Sequence, residues 1–177
     1  MKSDQRMKRL RVFCGFLFLG ALLSIARPPA TFGGDARFVG FQKCRDCHIE
    51  EFHSWERGRH ALAMESLRGG HKNNARCLAC HSTGYGEPAA TGQLFENVQC
   101  EACHGPGGLY KSPRIMSKGN YRENPEAQRQ LAREAGLTPI DEKVCLPCHG
   151  KERPEGHPPS KPFNYSEALG RVSHKTP

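Results

Sequence analysis

The sequence has little apolar material from which to build a core. Only 37% of its 177 residues are hydrophobic, and it contains 13 prolines and 19 glycines. That composition is lean for an ordinary core of buried side chains, although the length suits a single domain. We therefore expect short helices and long loops around a core that side chains alone do not supply.

Long apolar runs are scarce as well. The one long run, residues 12–26, has about fifteen residues, fewer than the roughly 20 that a membrane-spanning helix needs. It follows the basic residues 1–11, and this order is typical of a secretory signal. We expect export to the periplasm, with residues 1–26 removed as a signal peptide and residues 27–37 as a linker. Later cleavage near Ala30 or Gly34 and retention of residues 1–26 as a membrane anchor are the alternatives.

The basic charge gives no support to nucleic-acid binding. The formal net charge is +8, but residues 1–26 carry five basic residues and one acidic residue, so their removal leaves +4. The sequence has no nucleic-acid-binding motif and no interleaving of aromatic and basic residues. A nucleic-acid partner is therefore not expected.

Eight of the nine cysteines fall into one repeated pattern, Cys-x-x-Cys-His. The four copies are Cys44–His48, Cys77–His81, Cys100–His104 and Cys145–His149. This pattern is typical of c-type haem attachment, in which both thiols form thioethers with the porphyrin and the histidine binds the iron. The ninth cysteine, Cys14, lies in the apolar run, so no disulfide is expected in the exported protein.

The spacing has a physical reason. Cysteines three residues apart lie on one side of a helical turn, so both sulfurs reach one edge of a flat macrocycle. A zinc site or a redox dithiol is the alternative for a single Cys-x-x-Cys pair, but a histidine after all four pairs favours haem. We predict a mainly α protein with long loops, spanning residues 38–174, in which four haem c groups form the core. Without haem the chain should be largely unfolded.

The candidate site residues follow from this pattern. Covalent attachment is assigned to Cys44, Cys47, Cys77, Cys80, Cys100, Cys103, Cys145 and Cys148. The proximal iron ligands are His48, His81, His104 and His149. Five histidines remain as candidates for the distal side of the irons: His53, His60, His71, His157 and His174.

A few elements can be placed between the motifs. Ile49, Phe52 and Trp55 recur at helical spacing, and a continuous helix through His60 would keep His53 and His60 away from the haem of His48. One short strand is expected near Leu94 and Phe95.

Further helices are expected in the second half of the chain. Asn124 and Pro125 begin a helix that runs to about Ala135, interpreted as a polar surface spacer. Residues 153–162 should be extended because of their prolines, and residues 163–172 should form a last helix.

Beyond the motifs themselves, three segments resemble the cytochrome c-554 family of multihaem cytochromes. They are the first motif followed by Trp55 and His60-Ala61, the run from Val98 to Gly107, and a C-terminal histidine after Phe163-Asn164-Tyr165. The resemblance covers roughly residues 38–174 and implies that His60 and His174 are distal ligands. The chain departs from many relatives in having no histidine between the second and third motifs or just after the Gly-Pro-Gly turn. His71, His157 and His53 are therefore weaker candidates, and at least one haem is expected to lack a distal ligand from the protein.

Two classes of function follow. The first is a periplasmic electron carrier with closely packed haems. The resemblance implies redox protein partners, either a multihaem oxidoreductase or a quinol-oxidising membrane cytochrome. The second is a small haem enzyme that reduces NO or a related nitrogen oxide at a five-coordinate haem. Such an enzyme needs an acid or hydrogen-bond donor over the iron, for which Tyr85, Tyr110, Arg114 and Glu101 are candidates.

Overall fold

The computed structural model describes residues 36–150, 152–158 and 161–174. Short helices joined by long loops make up most of this part of the chain, as the sequence predicts. The helices are α1 (Gln42–Arg45), α2 (Ile49–Glu56), α3 (Ala75–His81), α4 (Cys100–His104), α5 (Pro113–Met116), α6 (Lys118–Glu123), α7 (Pro125–Glu134), α8 (Glu142–His149) and α9 (Tyr165–Val172). The predicted signal or anchor, residues 1–26, lies outside the described residues.

Side-chain caps fix where several helices begin. The Asn74 carboxamide accepts a hydrogen bond from the Arg76 amide at the start of α3, and Asp141 accepts one from the Lys143 amide at the start of α8. Asn124 and Asn164 cap α7 and α9 in the same way. Each cap satisfies an amide that the first helical turn leaves unpaired. The predicted helices after Asn124 and Phe163 are thereby confirmed, and the second begins at Tyr165.

The helix after the first motif is shorter than a continuous helix through His60 would be. It ends at Glu56, and Gly58 has extended backbone angles. His60 lies instead on a following 3-10 turn, Arg59–Leu62. His53 and His60 therefore do not share one helix face, as a continuous helix would require. The 3-10 turn sets the orientation of His60 instead.

An aromatic cluster joins this helix to the segment before the third motif. Phe41 packs on Phe52 and on Trp55, with ring centres 5.5 and 5.2 Å apart. The Trp55 indole donates a 2.8 Å hydrogen bond to the Val98 carbonyl. The apolar spacing in α2 thus produces a contact across more than 40 residues of chain.

A two-stranded antiparallel sheet connects the second and third motifs. Strand β1 (Ser82–Thr83) directly follows α3, and β2 (Phe95–Glu96) pairs with it, with Thr83 opposite Phe95. The Thr83 hydroxyl donates to the Asn97 carbonyl and accepts from the Gln99 amide. The expected strand near Phe95 is confirmed, and these hydrogen bonds fix the approach to α4.

The buried apolar side chains form two small clusters rather than one core. One contains Met64, Leu67 and Leu78. The other contains Tyr110, Ile115, Ala132 and Ala135. Helix α7 lies at the surface, as predicted, but it is not only a spacer, because Ala132 is fully buried and the Gln128 amide donates to the Arg114 carbonyl. Small residues on one face of a polar helix carry this contact, which hydropathy alone understates.

None of the helices in residues 36–150, 152–158 and 161–174 is long and apolar enough to cross a bilayer.

Candidate haem-binding sites

Each of the four motifs fills a helix or adjoins one. The first begins in α1, and the His48 amide donates to the Cys44 carbonyl at 2.9 Å immediately before α2 begins. The second and fourth motifs end α3 and α8, and the third is the whole of α4. In this geometry both thiols and the imidazole of a motif converge on one side of a turn. No disulfide joins any two of the eight cysteines in the described residues, so each is available for thioether attachment.

The first and third motifs meet at their cysteines. The thiols of Cys44 and Cys100 are hydrogen-bonded partners, which raises the pKa of Cys44 and lowers that of Cys100. Burial and the charges of Cys100 and Glu101 raise the pKa of Cys44 further. Two sulfurs in contact would bring the attachment points of the first and third haems close together.

The fourth motif connects this pair to the second motif. The pKa of Cys103 is raised mainly by burial and, to a smaller extent, by the charge of Cys145. Because Cys145 is close enough to have this effect, the third and fourth motifs are neighbours. Helix α8 packs on α3, where the Cys148 sulfur lies 4.0 Å from the Ala79 carbonyl oxygen. The attachment sites therefore follow one another in the spatial order first, third, fourth, second.

Two imidazole pairs have the separation that one iron needs. The ring centres of His60 and His149 are 6.1 Å apart, and those of His81 and His157 are 6.5 Å apart. A bond from a metal to an imidazole nitrogen is about 2.0 Å long, and that nitrogen lies roughly 1.1 Å from the centre of its ring. Two imidazoles on opposite sides of one metal would therefore have ring centres about 6.2 Å apart. These residues thus fit a haem held by two histidines.

The hydrogen bonds of the second pair support the same conclusion. His81 Nδ1 lies 2.7 Å from the Ala63 carbonyl oxygen, and His157 Nδ1 lies 2.7 Å from that of Pro158. A ring nitrogen that donates to a carbonyl keeps its proton, so the other nitrogen, Nε2, is free to bind iron. The backbone selects the tautomer that a ligand requires.

His104 and His174 form a third association. The pKa of His104 is lowered mainly by burial and then by the charges of two nearby histidines, His174 and His48. His174 Nδ1 is buried and has no hydrogen-bond partner among the described residues. A buried nitrogen without a partner is costly, so this site fits a group that the chain itself does not provide. The pKa of His60 and His149 is lowered too, first by burial, which keeps these imidazoles in the neutral form that binds iron.

The remaining histidines are exposed, as His149 and His157 are too, so exposure alone does not separate the two groups. His53 is exposed, and its Nδ1 lies 2.7 Å from the Glu56 carboxylate. His71 is exposed on the 3-10 turn Gly69–Asn73. His48 has half of its side chain exposed and lies 3.7 Å from the Glu51 carboxylate. The structure thus brings His60, His157 and His174 to proximal histidines, and within the described residues no such pairing is found for His53 or His71.

Sequence reasoning missed two features of these sites. Phe163 stacks on His149 with ring centres 5.0 Å apart. The only feature of the sequence that could have indicated this contact is an aromatic residue in a proline-rich segment. The Glu101 carboxylate is buried and accepts hydrogen bonds from backbone amides. From the sequence, Glu101 is only a candidate for the acid over an iron. Tyr110, another such candidate, donates its hydroxyl to the Gly105 carbonyl.

A helical chain with four Cys-x-x-Cys-His motifs in contact is a tetrahaem c-type cytochrome that binds four haem c groups. The family model for cytochrome c554 and c-prime matches residues 43–105. Cytochrome c-554 of Nitrosomonas europaea is 26% identical, over 80% of this chain and 68% of that protein. The structure of the reduced state of cytochrome c554 from the same organism matches with a TM-score of 0.55 and 25% identity, over 80% of each chain.

These matches agree with the resemblance to the cytochrome c-554 family that the motifs carry, and they support a multihaem c-type cytochrome that acts in electron transfer.

Proposed function

We propose that the protein carries electrons in the periplasm between two redox proteins, through a row of four haems. The contacts that link the motifs, from Cys44 to Cys100 and on to Cys145 and α3, carry this proposal. Attachment sites in contact bring the haem edges close together, and imidazoles on both sides of an iron leave no position for a substrate. The row offers an entry at one end and an exit at the other.

The proposed partners are a multihaem oxidoreductase or a quinol-oxidising membrane cytochrome. The exported location rests on the basic residues 1–11 and the apolar run 12–26. N-terminal sequencing of the purified protein tests this part. A start near Arg27 supports a soluble periplasmic carrier, whereas an intact Met1 would show a retained anchor.

Transfer along the row is tested by following one electron within one molecule. Pulse radiolysis delivers less than one electron per chain, and the absorbance of the haems then reports its redistribution. A carrier should show a relaxation whose rate is independent of protein concentration. A relaxation that slows in proportion to dilution would mean that electrons move only between molecules, which contradicts the proposal.

The surroundings of His48 favour a second candidate function. His149, His81 and His104 each lie near another histidine from outside the motifs, whereas the partner of His48 is the Glu51 carboxylate. A haem held by His48 alone would be five-coordinate and could bind NO or a related nitrogen oxide. Consumption of NO by the reduced protein, measured with an NO electrode, would support an enzyme. Low-spin EPR signals from all four haems that NO leaves unchanged would exclude one.

A further inference from the structure

Glu101 is a buried carboxylate within the third motif. Its side chain is 1% exposed, and it is the one acidic residue among the buried residues of the described chain. In the described residues no lysine, arginine or histidine nitrogen lies within 4.0 Å of it. A buried carboxylate without an ion pair is uncommon and needs other compensation.

Backbone amides supply that compensation. The Val39 amide donates to both carboxylate oxygens at 3.0 Å, the Gly40 amide donates to Oε2 at 2.8 Å, and the Gly107 amide donates to Oε1 at 2.6 Å. Both oxygens therefore face N–H donors, and none of these donors can accept a proton. This arrangement suits the ionised carboxylate, which only accepts hydrogen bonds.

The glycines make this arrangement possible. A Cβ atom on Gly107 would lie 3.0 Å from Glu101 Oε1, so a side chain there would displace the carboxylate. The Gly-Pro-Gly turn thus lets the backbone approach the acid closely. The position of the charge is fixed by the fold.

This charge lies beside the cysteines of two motifs. Glu101 adjoins Cys100 in the chain, and its charge is one of the causes that raise the pKa of Cys44, after the hydrogen bond to Cys100, burial and the charge of Cys100. Burial and then Glu101 raise the pKa of Tyr110, which packs in the same region. Lys111 acts on Cys44 with the opposite sign, but Lys111 is exposed and its effect is screened by water.

Reduction of a haem adds one electron to iron and removes one positive charge from it. A negative charge nearby in a medium of low dielectric constant favours the form that is more positive, the oxidised one. We propose that Glu101 is a fixed buried charge that lowers the reduction potentials of the haems bound at the first and third motifs. This inference rests on the proposed electron transfer and adds that these two haems are harder to reduce than they would be without the charge of Glu101.

The test is a spectroelectrochemical titration of the holoprotein with Glu101→Gln. The substitution removes the charge and keeps the size of the side chain. The equilibrium constant for reduction should rise at least tenfold for one or two of the four haems, which corresponds to about 59 mV for a one-electron step. A folded variant with full haem content and four unchanged potentials would overturn the inference.

Two further variants separate the charge from a purely structural role. Glu101→Asp keeps the charge, but the shorter side chain cannot accept hydrogen bonds from all three amides, so the melting temperature should fall. The equilibrium constant for reduction of each haem should stay within about twofold of its original value. A shift as large as that of Glu101→Gln would overturn the inference. Glu142→Gln removes an exposed charge that also acts on an attachment cysteine, Cys145, and should change no equilibrium constant by more than about twofold.

A surface variant keeps the inference testable if Glu101→Gln does not fold. Lys111→Gln removes the exposed opposing charge beside Cys44, which water screens, so it should lower no reduction equilibrium constant by more than about twofold. A tenfold change in either direction would show that exposed charges set these potentials and would overturn the inference. Equilibrium potentials need no partner and no transfer step, so this result is independent of whether the protein carries electrons in the cell.

Discussion

The two ring nitrogens of His81 have different tasks. Nδ1 is 2.7 Å from the Ala63 carbonyl and 3.2 Å from the Ser66 hydroxyl, so the ring is held from behind by the chain. The other nitrogen then points away from these partners with its lone pair free. An iron ligand fixed in this way loses little rotational freedom on binding, and the same division applies to His157.

The distal assignments are testable one histidine at a time. Replacing His60 by alanine should convert one of the four haems from low spin to high spin, because the imidazole 6.1 Å from that of His149 is removed. His157→Ala and His174→Ala should each do the same for a different haem. Low-temperature EPR of the oxidised variants measures the change.

His53→Ala is the matched control, since His53 is also close in the chain to the first motif but is paired with Glu56. Its spectrum should equal that of the unmodified protein. If His60→Ala leaves all signals unchanged, or if His53→Ala creates a high-spin haem, the assignment of His60 is contradicted.

The sequence pattern alone assigns the attachment residues, whereas it ranks the distal histidines only in part. The attachment pattern is local: two thiols and an imidazole within one turn need only neighbouring residues. The opposite ligand comes from elsewhere in the chain, and His157 follows His81 by 76 positions. Nothing near His157 in sequence distinguishes it from a solvated histidine, and its proximity to His81 appears only in the folded chain.

At the scale of elements, the turn after α4 is where the third motif meets the rest of the fold. Gly105 has φ of +76° and ψ of 172°, a combination that only glycine adopts readily. A Cβ atom there would lie 2.5 Å from Thr138 Oγ1 and 2.7 Å from the Gly136 carbonyl oxygen. The Thr138 amide also donates to the His104 carbonyl, so this contact holds the end of the motif.

Gly105→Ala should therefore destabilise the holoprotein by about 3 kcal/mol or more, from backbone strain together with the steric overlap. Thermal unfolding followed by circular dichroism measures the loss. Gly86→Ala is the control, since Gly86 has φ of +79° but a Cβ atom at that position would meet no described residue within 4 Å apart from its chain neighbours. That variant should lose only about 1 kcal/mol, the backbone part alone. Equal losses would contradict the role of the close contact.

Helix α7 shows which features of an element a sequence specifies. Its start at Asn124 and Pro125 depends on local chemistry, a side-chain cap and a fixed φ, and the structure confirms it. Its packing on Ile115 could not be predicted, because alanines and a glutamine form the buried face. Burial of such residues depends on the shape of the partner segment, which local sequence does not reveal.

At the scale of the whole molecule, the apolar clusters are too small to stabilise the fold alone. The buried hydrophobic residues of the described chain include three alanines, and large apolar side chains such as Ile49, Leu62 and Leu146 are well exposed. Four porphyrins add apolar surface that these side chains can cover, and an iron bound by two histidines, such as His60 and His149, would join segments that are far apart in the chain. The haems are in this sense the core of the protein.

The chain made without haem attachment should consequently be unfolded. Expression in a cytoplasm that lacks the attachment machinery gives that chain, and its far-UV circular dichroism should lack the helical minima of the holoprotein. Its amide protons should exchange without protection. A cooperative thermal transition in the haem-free chain would show that side chains suffice to fold it.

One chain should hold four haems that exchange electrons reversibly along a row. An anaerobic titration of the oxidised protein with a one-electron reductant, followed by reoxidation, measures this exchange. Each chain should take up four electron equivalents and return them with the same haem absorbance changes. Fewer than four equivalents, or a haem that cannot be reoxidised, would show that the four haems do not work in this way.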